Sequence, residues 1–159
     1  FRMLKKLQLT FSLVLFFFCN ISLSKADLLI PNNSILPADV VKIQLVGLMN
    51  NDKEYKDSGI EQTWKFAHPN NKKYTGPLEK FKMMLKGNSY SMLLNHIDNQ
   101  VKEVFISEEI ATFEVIILDV KKKYYKFKWQ VEKYSNEGPL KGCWLTTAVS
   151  QPIEMSSSI

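Results

Sequence analysis

Between positions 125 and 132 the chain alternates without interruption. Tyr125, Phe127, Trp129 and Val131 are large and apolar, and Lys126, Lys128, Gln130 and Glu132 between them are polar. A β-strand sends successive side chains to opposite faces, so this pattern predicts a strand with one aromatic face and one solvated face. Such a strand needs partners in a sheet and a second layer over its aromatic side. Residues 101–106, 111–120 and 142–149 read as further strands. Turn clusters separate them at Ser107-Glu108-Glu109, at Lys121-Lys122-Lys123 and over 135–139, and a shorter strand is expected around 90–95. Connections this short make neighbouring strands antiparallel.

The covering layer precedes the sheet. Val41, Leu45, Leu48 and Met49 form a helical stripe, with Pro37 suited to the first turn, Asp39 near the positive end of the dipole and Asn50-Asn51-Asp52 as the stop. Ser58-Gly59-Ile60-Glu61 predicts a second helix opened by a capping box, with Ile60, Trp64 and Ala67 on one face and Pro69 ending it at His68. Residues 70–76 read as a loop. After Pro77, Leu78, Phe81, Met84 and Leu85 predict a third helix closed by Gly87 at C′. The expectation is an α+β domain over 37–152, with three N-terminal helices packed on a curved antiparallel sheet of four to five strands. An extended lead-in over 27–36 and a flexible tail over 153–159 flank it. A twisted sheet wrapped on short helices leaves a conical hollow between the layers.

A net charge of +5 suggests a polyanion partner, until its location is considered. Arg2, Lys5, Lys6 and Lys25 precede the first acid, Asp27, and residues 7–18 form a 12-residue apolar run followed by Ser24-Lys25-Ala26. That order matches a secretory signal, with cleavage expected after Ala26. The run is short of the roughly 20 residues that span a bilayer, which disfavours an uncleaved anchor. A lipoprotein reading of Cys19 is discounted because Phe16, Phe17 and Phe18 precede it. Removal of the segment leaves 17 basic against 16 acidic residues, and the charge argument for nucleic acid disappears. The expected location is periplasmic or secreted, with no membrane association after cleavage. Cys143 is then the one cysteine and cannot form an internal disulfide; a buried thiol is favoured over a nucleophile.

The order of elements, with Gly59-Ile60, the run Trp64-Lys65-Phe66-Ala67-His68-Pro69-Asn70, and Tyr74-Thr75-Gly76-Pro77, resembles an uncharacterised domain-of-unknown-function family. That family lies in the nuclear transport factor 2-like (cystatin-like cone) superfamily. Trp129-Gln130-Val131-Glu132-Lys133 and Gly142-Cys143-Trp144 look like its closing strands, and the resemblance covers residues 40–152. The superfamily includes ketosteroid isomerases, dehydratases, polyketide cyclases, transport adaptors and ligand-binding modules. The resemblance therefore implies a cone with a pocket and no particular chemistry.

Two histidines are the candidate acid-base groups. His68, at the end of its helix and before a proline, offers two readings: it protonates or deprotonates a ligand at the cone mouth, or it caps the last carbonyls of its helix; the capping reading is favoured. His96, with Asp98 nearby, offers an isomerase-type pair, but Asn95-His96-Ile97-Asp98-Asn99 has the composition of an exposed connection. No metal-ligand spacing, phosphate loop or nucleophile elbow is present, so no catalytic residue, metal or cofactor is assigned. Lys121, Lys122, Lys123, Lys126 and Lys128, interleaved with Tyr124, Tyr125 and Phe127, read as a solvated strand face paired with Glu103, Glu108, Glu109 or Glu114 rather than as a nucleic-acid or lipid surface. The candidate ligand contacts are Trp64, His68, Tyr125, Trp129 and Trp144, although most large aromatics here should fill core volume. The leading expectation is a non-catalytic exported module that binds a small, largely apolar ligand or a protein partner. The alternatives are a lyase or isomerase using a pocket histidine with a carboxylate, and a homodimer that buries the sheet face around a vestigial pocket.

Overall fold

The structure is a computed structural model that describes residues 27–156. The export signal expected over 1–26 and the last three residues of the tail lie outside the described residues. The first helix, α1, spans Pro37–Met49, with proline in its first turn and Asp39 beside the exposed amides. It buries Val40, Val41, Gln44, Leu45 and Leu48, so the apolar stripe contains one glutamine. The second, α2 (Ser58–Lys65), crosses α1 so closely that a Cβ on Gly59 would lie 1.9 Å from the Gly47 carbonyl oxygen. Only glycine permits that approach.

The capping box expected at the start of α2 does not form. Asp57, at the N-cap with φ of 64°, makes no capping hydrogen bond through its side chain. Asn51 supplies the acceptors instead, from the end of α1. Its Oδ1 accepts from the Ile60 amide at 3.0 Å, and its carbonyl accepts from the Gly59 amide at 2.9 Å and the Ser58 hydroxyl at 2.8 Å. Glu61 turns away to accept from the Tyr55 hydroxyl at 2.8 Å. The buried Asn51 thereby satisfies amides that helix geometry leaves orphaned.

Where a loop is expected over 70–76, the chain forms a third helix, α3 (Pro69–Thr75). Pro69 does exclude helical geometry at His68, yet it also occupies the first position of a new helix, where a missing N–H costs nothing. The next helix, α4 (Leu78–Lys86), buries Phe81 and Leu85 and ends at Gly87, an extended C-cap with φ of −77° rather than a left-handed one. Lys86 reaches back to Asp57 at 2.7 Å and ties α4 to the start of α2. The layer thus holds four α-helices among the described residues, one more than expected. A short 3-10 turn, Ser91–Leu93, replaces the strand expected near 90–95 and drives Leu93 into the core.

Five strands complete the domain. They are β1 (Asp98–Ile106), β2 (Ile110–Leu118), β3 (Tyr124–Lys133), β4 (Trp144–Val149) and β5 (Ile153–Met155). The curved antiparallel sheet runs β1-β2-β3-β4, with β5 also on β3. Register sets Val115 opposite Phe127 and Phe113 opposite Trp129, so the aromatic face of β3 continues across β2. All four of these side chains are buried, worth about 1.5–3 kcal/mol each for the larger ones. β4 and β5 share one edge of β3. At the bend between them Ser150 bridges the gap, its hydroxyl accepting from the Lys128 amide at 2.8 Å and its own amide donating to the Lys128 carbonyl at 2.9 Å. Residues 153–155, expected within a flexible tail, therefore extend the sheet.

The β2–β3 turn is built on Asp119, whose carboxylate accepts from the Lys121 and Lys123 amides, each at 2.9 Å. On the outer face Lys126 lies 3.7 Å from Glu114, and Lys123 pairs with Glu154 at 2.8 Å, as a solvated strand face requires. Packing of α1 against β1, β3 and β4 makes the two layers enclose one core.

Candidate functional site

Between the helical layer and the β3–β4 half of the sheet lies a cavity of about 310 Å³. α1 contributes Gln44 and Leu48, and α4 contributes Phe81, Met84 and Leu85. The sheet closes it with Trp129 and the segment from Thr146 to Val149, while Asn71, Tyr74 and Thr75 of α3 stand at its rim. Tyr74 is almost fully exposed, which marks the mouth. Among the described residues, no lysine, arginine, histidine, aspartate or glutamate lines this space. Size and lining both match a small-molecule site.

The floor is polar but tightly organised around Gln44, which is 1% exposed. Its Oε1 accepts from Trp129 Nε1 at 3.0 Å and from the Thr146 hydroxyl at 2.6 Å, and its Nε2 donates to the Thr63 carbonyl at 3.0 Å. An indole can only donate and a carbonyl can only accept, so these neighbours fix which end of the amide is oxygen. Thr63 donates its hydroxyl to the Gly59 carbonyl at 2.8 Å. Higher in the wall, the Tyr90 hydroxyl donates to the Val149 carbonyl at 3.2 Å, and burial pushes its pKa up, keeping it neutral.

Of the five candidate contacts only Trp129 borders the cavity. Trp64 lies outside it on α2, its half-buried ring covered by the Lys72 ammonium 3.9 Å from the centroid. Tyr125 is half-buried at the end of β3 and packs on the core. Trp144 sits in the core beneath Lys133, whose ammonium lies 5.1 Å from the ring centroid. Each fills volume or shelters a cation, as large aromatics commonly do.

His68 also stands apart from the cavity. It caps a helix, though the one that follows: Nδ1 accepts from the Asn70 amide at 3.0 Å at the start of α3. The ring packs edge-on against Tyr134 with centroids 5.3 Å apart. Burial lowers its pKa, and the Glu132 charge offsets only part of that. A neutral imidazole suits a helix N-terminus, where a cation is disfavoured.

His96 contradicts the expectation of an exposed connection. It is 2% exposed, because the 3-10 turn before it and β1 after it fold the ring inward. Nδ1 lies 2.7 Å from the Leu93 carbonyl and Nε2 lies 2.9 Å from Asn99 Nδ2. The carbonyl assigns the proton to Nδ1, leaving Nε2 to accept from the amide. Burial lowers its pKa against the opposing pull of the Leu93 carbonyl and Asp98. Asp98 itself caps the Asn99 amide at 2.8 Å, so no catalytic His–Asp hydrogen bond exists.

Cys143 is free and buried, with its thiol donating to Asn33 Oδ1 at 3.3 Å and its pKa raised by burial. That is an unreactive setting. Among the described residues there is no cluster of three metal-binding side chains, and no helix is long and apolar enough to cross a membrane. A second, wider hollow of about 410 Å³ separates the lead-in from α1 and α2. It is rimmed by Asp27, Lys42, Lys53 and Glu54. There Gln62 pairs with both backbone groups of Leu29, at 2.8 and 2.9 Å, and docks the lead-in on α2.

The residue that organises the cavity, Gln44, is not one of the five candidate contacts. Its signal is present in the sequence: it lies four residues after Val40 and four before Leu48, inside the apolar stripe rather than opposite it. A scan against protein-family models, a search of curated proteins and a search of solved structures find no match for this chain.

Proposed function

We propose that this protein is an exported, non-catalytic module of the nuclear transport factor 2-like type that holds a small, largely apolar ligand between its helices and its sheet. The observation that carries the reading is the chemistry of the cavity lining. Acid-base enzymes mostly use an imidazole, carboxylate or ammonium within reach of the substrate, and none lines this space among the described residues; of the two phenols that do, Tyr74 is almost fully exposed and Tyr90 gives its proton to the Val149 carbonyl. Both histidines are engaged elsewhere, one capping α3 and one locked between Leu93 and Asn99. The dimer reading has less support, because the outer face of the sheet carries ion pairs and the cavity is open rather than filled.

Native mass spectrometry of protein purified from its own host tests the reading. The expected spectrum shows an added neutral mass that is lost in Val149→Trp, a variant that places an indole in the cavity wall. A bare polypeptide mass, together with no uptake of neutral apolar probes, overturns it.

A further inference from the structure

We infer that the cavity selects a neutral molecule with a carbonyl oxygen at its buried end, received by the side-chain amide of Gln44. This rests on the ligand-binding reading above and deepens it. A primary amide carries two hydrogens on nitrogen. One is taken by the Thr63 carbonyl. Among the described residues the second meets no acceptor within hydrogen-bonding distance, and Gln44 is both almost fully buried and part of the cavity lining.

The other donors around the floor, and Tyr90 in the wall above it, are committed. Trp129 Nε1 and the Thr146 hydroxyl both point at Gln44 Oε1, the Thr63 hydroxyl is given to Gly59, and the Tyr90 hydroxyl to Val149. Because Trp129 and Thr63 hold the amide from both ends, Gln44 cannot reverse to offer its oxygen without stranding an indole N–H against another donor. The floor therefore presents one fixed donor beneath mainly apolar walls, whose other polar side chains are Thr75 and Thr147, with hydroxyls given to backbone carbonyls, and Asn71 at the rim. A carboxylate or phosphate would enter without a cation to pair it, and a pure hydrocarbon would leave the amide hydrogen dry. A carbonyl set in a hydrocarbon frame avoids both penalties.

Three probes of matched shape test this on the exported protein: 2-acetylnaphthalene, 2-isopropylnaphthalene and 2-naphthoate. Dissociation constants are measured by calorimetry for wild type and Gln44→Glu, whose carboxyl keeps an acceptor for Trp129 and Thr146 but has no second hydrogen to offer a ligand. The ketone is expected to gain over the hydrocarbon by roughly tenfold more in wild type than in the variant, the size of one hydrogen bond. Differences in hydrophobicity between probes cancel in that comparison. Naphthoate is expected to show no binding. The infrared carbonyl stretch of 2-acetylnaphthalene bound to wild type supplies a readout that needs no variant, and it is expected at lower frequency than in cyclohexane. An equal ketone-to-hydrocarbon ratio in both proteins, an unshifted carbonyl band, or naphthoate binding as tight as the ketone each overturns the inference. With either neutral probe still bound, those results leave the binding reading standing. Failure of both neutral probes to bind wild type removes the binding reading itself.

Discussion

Gly59→Ala is the most demanding test of how the helical layer is built. A methyl group at this position would sit 1.9 Å from the Gly47 carbonyl oxygen, 2.5 Å from its carbon and 2.8 Å from Asn51 Cα. All three are backbone atoms, so no side chain can rotate aside. Restoring an ordinary contact of 3.4 Å requires α1 and α2 to separate by about 1.5 Å at the crossing. That separation breaks or stretches the bonds by which Asn51 holds the Gly59 and Ile60 amides. Overpacking costs roughly 1–3 kcal/mol and each weakened hydrogen bond about 1 kcal/mol. Replacing glycine within a helix returns up to about 1 kcal/mol, leaving a net loss of roughly 2–4 kcal/mol. Urea unfolding followed by far-UV circular dichroism measures it as a lower midpoint at unchanged slope. Gly47→Ala is the internal control. Its Cβ would lie 3.2 Å from the Gly59 oxygen, and the expected change is within about 1 kcal/mol. A Gly59→Ala protein within about 0.5 kcal/mol of wild type would refute the close crossing.

The remaining predictions concern the histidines and the N-terminus. His68→Ala is expected to cost about 1 kcal/mol through loss of the acceptor for the Asn70 amide, and His68→Asn to recover most of it, since asparagine caps well. Neither substitution should change probe affinity, because His68 does not line the cavity. For His96 the folded-state pKa is depressed, so below the unfolded value of about 6.5 the unfolded chain binds more protons and stability falls as pH drops. Thermal melts between neutral pH and pH 5 should show a shallower decline for His96→Gln; an identical slope would mean the ring is already solvated. Intact-mass measurement of protein purified from its own host should give an N-terminus at Asp27, as the expected cleavage after Ala26 requires. Retention of Lys5 or Lys6 would overturn cleavage and restore the membrane anchor as the better reading.

The parts of the fold legible in the sequence are those whose signal is local and periodic. The alternation from Tyr125 to Glu132 becomes β3 with its aromatic face inward, and the stripe through Val41, Leu45 and Leu48 becomes α1. Signals that depend on distant partners mislead. Pro69 is at once a stop and a start, and its second role depends on His68 Nδ1 reaching an amide beyond it. Ser58 and Glu61 have the spacing of a capping box, but Asn51 wins the amides because the glycine crossing brings it alongside α2. His96 carries the composition of a turn and is nonetheless buried, since Leu93 and Asn99 supply both of its ring nitrogens with partners. The aromatic candidates for ligand contact stand out in the sequence by size, and size is mainly a property of cores.

The glycine crossing and the cavity floor are one device. Gly47 follows Gln44 by three residues on α1, and Gly59 precedes Thr63 by four on α2, so each glycine lies about one turn from a member of the floor network. The contact that brings the two backbones together also brings the Thr63 carbonyl to 3.0 Å from Gln44 Nε2. On the other side Trp129 and Thr146 belong to β3 and β4, which places the amide of Gln44 at the junction of both helices and the sheet. A shift of about 1.5 Å at the crossing exceeds what a hydrogen bond tolerates. Gly59→Ala should therefore disturb carbonyl selection as well as stability, although Gly59 does not border the cavity. In the proposed reading, fold and recognition are coupled through backbone proximity: the Thr63 carbonyl that helps to orient the floor amide is brought to it because two helices are allowed to touch.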